Sequence, residues 1–167
     1  ANAQERYYWP NPCDEDQEIF NKDLRFYHHW PALDYSNQLF NQPSRARTSA
    51  FNESGKQQIE VLGGASARVR GPSFDGFSAM AGFWYYEGAF PEAYHHSYWI
   101  ADYSGWIKVL QLDEDFQVTQ VDSFCTFDRD LVDLAFNPHN RTIYHIDLNE
   151  GKLFRIAFGV DPPPVPV

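Results

Sequence analysis

Long hydrophobic runs are missing from this sequence: no apolar stretch approaches the ~18 residues of a membrane span, so helical membrane insertion is not expected. Ala1 is not an initiator Met and no signal peptide opens the chain, which reads as a processed or excised piece. Cysteine is scarce. Cys13 and Cys125 lie too far apart for a zinc knuckle or a CxxC redox motif, and either pair as one long-range disulfide or stay buried thiols. Basic residues are also few: 13 Lys and Arg stand against 23 Asp and Glu, for a formal charge of −10. The imbalance is concentrated in residues 84–167, which carry 5 basic and 13 acidic side chains. A nucleic-acid partner is therefore not expected, since phosphate binding needs a cationic footprint. GxSxG, P-loop and dinucleotide fingerprints are absent, and helical amphipathic runs are scarce.

What the chain does have is aromatics, at 17% of residues, with a mean hydropathy of only −0.54. Aromatic rings sharing strands with polar residues suit sheet faces. The central stretch, Tyr98 to Leu112 (YWIADYSGWIKVLQL), returns in altered form further on. With Gly105 placed over Gly151, SYWIADY-SGWIKVL lies on TIYHIDLNEGKLFRI, at an offset of 45 residues before the turn and 46 after it. A strand-turn-strand unit with that spacing has the period of a β-propeller blade, in which about 40 to 50 residues form one four-stranded sheet.

The pattern predicts strands over 81–86, 97–103, 106–112 and 116–124 for one blade, then 131–136, 142–148 and 152–158 for a second that lacks its fourth strand. The expected fold is thus all-β, a propeller fragment of about two four-stranded blades preceded by an irregular N-terminal region. Residues 1–58 read as loop-rich with aromatic clusters broken by Pro10, Pro12 and Pro31, and 42–58 as a mobile polar surface loop. Blades are expected over 59–159. The tail 160–167 (VDPPPVPV) is expected to be polyproline II, a spacer or docking strip whose prolines are open to modification in a secreted protein.

From these pieces the chain resembles the glucose/sorbosone dehydrogenase family, whose quinoprotein members are six-bladed propellers that use pyrroloquinoline quinone (PQQ). The resemblance rests on Tyr8-Trp-Pro10, Phe26-Tyr-His28, Trp84-Tyr-Tyr-Glu-Gly88, Phe90-Pro91, Tyr94, Trp99-Ile-Ala-Asp-Tyr103, Gly105-Trp-Ile107 and the repeat from Asp133 to Ile156. It implies the C-terminal part of such a propeller, without the blade that carries the family's catalytic histidine. Two cofactor-binding arginines of the family fall on Asp130 and Val132, and a lysine is missing near Ser104. Acid in place of cation weakens binding of a tricarboxylate. No catalytic, cofactor-binding or metal residue is therefore assigned to this chain. PQQ and calcium enter only under the alternative that it is the C-terminal part of an active sugar dehydrogenase.

The remaining candidates each have an ordinary structural reading. Asp113, Glu114 and Asp115 suit calcium, but three acids after a strand more often make a solvated turn. The pairs His28-His29 and His95-His96 point to opposite faces when extended, which disfavours a metal site. Asp102 and Asp147, equivalent under the repeat, are expected to accept turn hydrogen bonds. Trp9, Trp30, Trp84, Trp99 and Trp106 are candidates for carbohydrate contact, though most are expected to fill space between sheets. The sequons at Asn52 and Asn140 point to a secreted, extracellular glycoprotein. A secreted propeller segment that serves binding or assembly is the resulting expectation, its partners being further blades, other chains, copies of itself or carbohydrate.

Overall fold

The computed structural model describes residues 32–37, 45–51, 57–65, 67–128 and 130–159, together with strand backbone at 4–5, 10–11, 14–18 and 26–27. Fifteen strands follow in order: β1 (Gln4–Glu5), β2 (Pro10–Asn11), β3 (Asp14–Glu18), β4 (Phe26–Tyr27), β5 (Asp34–Asn37), β6 (Ala46–Phe51), β7 (Gln57–Val61), β8 (Asp75–Gly76), β9 (Ala79–Tyr85), β10 (Ser97–Asp102), β11 (Trp106–Leu112), β12 (Val118–Thr126), β13 (Leu131–Asn137), β14 (Thr142–Asp147) and β15 (Lys152–Ile156). The described chain is all-β. Its one helical element is a single 3-10 turn at Glu92–Tyr94.

The centre is the antiparallel four-stranded sheet β9-β10-β11-β12, and behind it comes the three-stranded meander β13-β14-β15. Both match the sequence expectation closely, and among the described residues the second sheet has three strands. Their registers are equivalent. Trp99 opposes Val109 and Ala101 opposes Ile107 in the first sheet, as Tyr144 opposes Arg155 and Ile146 opposes Leu153 in the second. The turn glycines also correspond, Gly105 at φ 88° and Gly151 at φ 60°, a left-handed backbone that costs glycine nothing.

Alternation along the strands gives the central sheet two buried faces. One presents Tyr85, Trp99, Ala101, Ile107 and Val109 to Leu131, Leu134 and Ile143 of the following sheet, with Phe90 closing the cluster. The other presents Trp106, Leu110, Val118 and Val121 to Ala46, Leu62, Val69 and Phe74. The covering layer on that side is the sheet β7-β6-β5-β8, in which β5 pairs antiparallel with β6 and parallel with β8.

That layer corrects the reading of 42–58 as a surface loop: the region holds β6 and the first two residues of β7, which form an antiparallel hairpin from Arg47↔Val61 to Phe51↔Gln57. Small and polar residues serve here as core. Ala46 and Thr48 are buried while Arg47 between them turns outward to grip Asp34, its cross-strand neighbour, through two hydrogen bonds of 2.6 and 2.9 Å. The free edge of β12 is met by Arg70, which bridges in parallel to Gln120. A Cβ on Gly71 would stand 2.2 Å from the Val121 carbonyl oxygen, so only glycine lets the chain pass this close.

Lys108 is the one buried lysine or arginine among the described residues. Its Nζ lies 4.5 Å from the Phe74 ring centre and 5.2 Å from that of Trp106, and donates to Ser123 Oγ at 3.0 Å. Burial holds the ammonium below its ordinary value of 10.5, against a smaller upward pull from Asp75. Between the lowered folded value and 10.5 the unfolded chain therefore binds more protons, and stability gains as pH rises through that window. Lys108→Met is expected to abolish this gain. Melting temperatures of parent and variant compared at pH 7 and pH 10 check it: the parent should improve relative to the variant at the higher pH.

Candidate functional site

The equivalent Asp residues end the second strand of each unit and organise the turns that follow. Asp102 is fully buried. Its Oδ1 accepts from the backbone N–H groups of Phe77 and Ser104 (2.8 Å each) and from Ser104 Oγ (2.7 Å), while Oδ2 accepts from Tyr35 Oη at 2.8 Å. The Tyr35 phenol is pushed well above its ordinary range by burial and by the adjoining carboxylate. Asp102 thus joins three segments: β5, the β8–β9 link and the β10–β11 turn. Asp147 is as deeply buried and accepts from Glu150 N–H at 2.8 Å, but its Oδ2 has no hydrogen-bond partner among the described residues.

The repeat also singles out a surface. On the central sheet, Trp99, Ala101, Ile107 and Val109 form the face covered by β13–β15. Their equivalents on the next sheet, Tyr144, Ile146, Leu153 and Arg155, occupy the outward face of β14 and β15. Ala101 and Ile107 are 0% exposed, whereas Ile146 is 39% and Leu153 65% exposed; Leu148, beside them, is 58% exposed. The opposite face of this sheet is sealed, with His145 stacked between the rings of Phe127 (4.7 Å) and Phe154 (5.1 Å).

Of the other sequence candidates, Trp99 and Trp106 are buried between sheets and Trp84 is partly exposed. Trp9, Trp30, His28, His29, Asn52 and Cys13 lie outside the described residues. Cys125 is a half-buried free thiol, pushed up to about 12 by burial. Asn140 stands exposed in the β13–β14 turn, its amide donating to Tyr144 Oη (2.7 Å) and its oxygen accepting from Thr142 Oγ1 (2.6 Å). Asp113 accepts the backbone N–H groups of Asp115 and Gln117 and so closes its own turn. Among the described residues no group of three or more His, Cys, Asp or Glu is placed to hold a metal ion, and no helix is long and apolar enough to cross a membrane. Asp130 binds the Tyr103 hydroxyl (2.9 Å) and the Asn149 amide.

Two of the cavities on the described surface gather residues distant in sequence. One of about 390 Å³ is lined by Glu87, Gly88, His95, Phe136, Pro138 and Arg141. The other, about 280 Å³, lies at the far end of the central sheet beside Trp84 and Phe116. Neither was visible in the sequence, because each gathers residues from separate turns. Comparison with protein families, with curated proteins and with solved structures finds no match.

Proposed function

We propose that this chain is a β-propeller segment that works in assembly, its β13–β15 sheet receiving a further sheet of similar design on the outward face. The observation that carries this reading is the pair of faces just compared. In two units of one register, four positions are covered in the first, whereas in the second Ile146, Leu153 and Arg155 are exposed and Tyr144 is half-buried, and the open set keeps Ile146 and Leu153 apolar. Burying two such side chains contributes about 1.5–3 kcal/mol each, enough to favour a cover over water. The partner is a further blade, supplied by the same polypeptide, by another copy or by another chain. Exposed Asn140 supports an extracellular setting, since a glycan needs an accessible turn.

Assembly is preferred to sugar oxidation because of Asp130. It stands where the resembled quinoproteins place an arginine and already engages Tyr103 and Asn149, so it offers repulsion to the carboxylates of PQQ. These residues do not fit that cofactor.

The test is sedimentation of the native protein and of an Ile146→Glu/Leu153→Glu variant. The native protein is expected to associate, with itself or with a co-purifying blade-bearing chain. The variant should keep its melting temperature within a few degrees and weaken association at least a hundredfold. A native protein that sediments as a monomer at all concentrations, with fast amide exchange in β14 and β15, would defeat the reading.

A further inference from the structure

A second site lies at the end of the central sheet away from the Asp102 turn. There the last residues of β9, the approach to β10 and the β11–β12 turn converge, and Trp84, Tyr86, His96, Leu112, Asp113, Glu114 and Phe116 line the cavity of about 280 Å³. Three of its rings are unusually open to solvent: Trp84 is 39%, Tyr86 65% and Phe116 68% exposed. They are nonetheless arranged with respect to one another. The Trp84 and Tyr86 rings lie 6.5 Å apart at 26°, and Phe116 stands edge-on to Trp84 at 6.0 Å and 81°, so that two differently oriented aromatic walls meet. The charged groups lining the cavity, Asp113 and Glu114, are both acidic, and among the described residues no lysine or arginine lines it.

The backbone shows that Phe116 is held there against its conformational preference. Phe116 N–H donates to the Asp113 carbonyl and Asp113 N–H to the Gln117 carbonyl, each at 3.0 Å, closing a three-residue hairpin loop. Its last residue has a positive φ, a position that glycine usually fills. Phe116 occupies it at φ 58°, and His96 across the cavity takes φ 53°. A left-handed conformation costs a bulky residue about 1–2 kcal/mol.

We infer that this basin binds an alkylated ammonium group. The negative faces of the rings attract a cation, and the two carboxylates add to that attraction. A quaternary head group suits an open basin better than a primary ammonium, which is strongly hydrated and loses more on leaving water. The cavity is also slightly smaller than the ~300 Å³ at which sites for drug-sized ligands begin, which fits a head group better than a whole extended ligand. A neutral sugar ring would gain the stacking but not the electrostatic attraction. The inference is independent of the assembly reading, since it uses neither β14 nor β15.

Choline is the probe, with 3,3-dimethyl-1-butanol as its uncharged isostere and N-acetyl-trimethyllysine amide to represent a modified protein side chain. Binding is read from the Trp84 indole resonance in NMR titrations of the full chain. Choline or the trimethyllysine compound should saturate that shift at concentrations at least tenfold below those needed for the isostere, and the tighter of the two tells a free head group from a protein-borne one. Phe116→Gly should lose at least fivefold in affinity while melting no lower than the parent, because glycine suits the turn; Glu114→Gln should lose about twofold to fivefold. Equal binding of the isostere or of glucose, no saturable shift at Trp84, or full affinity in both variants would overturn the inference.

Discussion

Asp102→Ala is expected to lower the unfolding free energy by about 3–5 kcal/mol, and Asp147→Ala by about 1 kcal/mol or less, although both carboxylates are buried at equivalent places in the repeat. The difference lies in what each leaves behind. Without Asp102, the Phe77 and Ser104 amides and the Tyr35 and Ser104 hydroxyls lose their shared acceptor. Buried donors without partners cost roughly 1–3 kcal/mol each, and only some will find water. The carboxylate is also packed closely against Gly76, where a Cβ would lie 2.5 Å from Asp102 Oδ2 and 2.8 Å from the Tyr35 ring.

Without Asp147, by contrast, one amide hydrogen bond from Glu150 is lost while a buried oxygen with no partner is removed. The two effects oppose. Urea unfolding of both variants, with Tyr35→Phe as a control expected to cost about 1 kcal/mol, measures the contrast. Equal losses for Asp102 and Asp147 would mean that the turns, rather than the junction with β5, hold the value of these carboxylates.

This junction also marks where the sequence was readable and where it was not. The two meanders from β9 to β15 follow a strong signal, because aromatic and β-branched residues alternate between turns set by Gly88, Gly105 and Gly151. The turn role of Asp102 was legible for the same reason. Its bond to Tyr35 was not: 67 residues separate the pair, and nothing local in LDYSN announces the contact. The hairpin of β6 and β7 escaped because its inward side chains include Ala46 and Thr48, small or polar residues that carry no hydrophobic period. Ala46 becomes core only when Trp106 and Phe74 supply the bulk around it. In the same way, the acidic run 113–115 was visible as a turn. That the turn lifts Phe116 onto Trp84 needed the three-dimensional arrangement of strand ends.

Trp99→Ala is expected to cost about 3–5 kcal/mol as well, and to loosen the contact between the central sheet and β13–β15 more than it disturbs the layer on the other side. Trp99 is fully buried and ringed by aromatics: Phe124 at 4.6 Å, Phe90 and Tyr94 at 5.5 Å, Phe83 stacked at 5.6 Å and Tyr85 at 6.1 Å. Its indole N–H donates to Ser97 Oγ at 3.0 Å, and that hydroxyl in turn donates to the Tyr94 carbonyl, so the ring is fixed in orientation as well as position. Alanine would leave a cavity that surrounding rings cannot fill without leaving their own packing. Trp99→Phe should recover more than half of the loss, since it keeps most ring contacts and forfeits mainly the Ser97 hydrogen bond. Trp84→Ala, removing a ring already 39% exposed, should cost less than half as much. Hydrogen exchange locates the damage. In Trp99→Ala the amides of β13 and β14 are expected to lose protection before those of β6, because Leu131, Leu134 and Ile143 pack on the Trp99 face while Ala46 packs on the other. A uniform loss across all three sheets would instead show that the layers unfold as one unit.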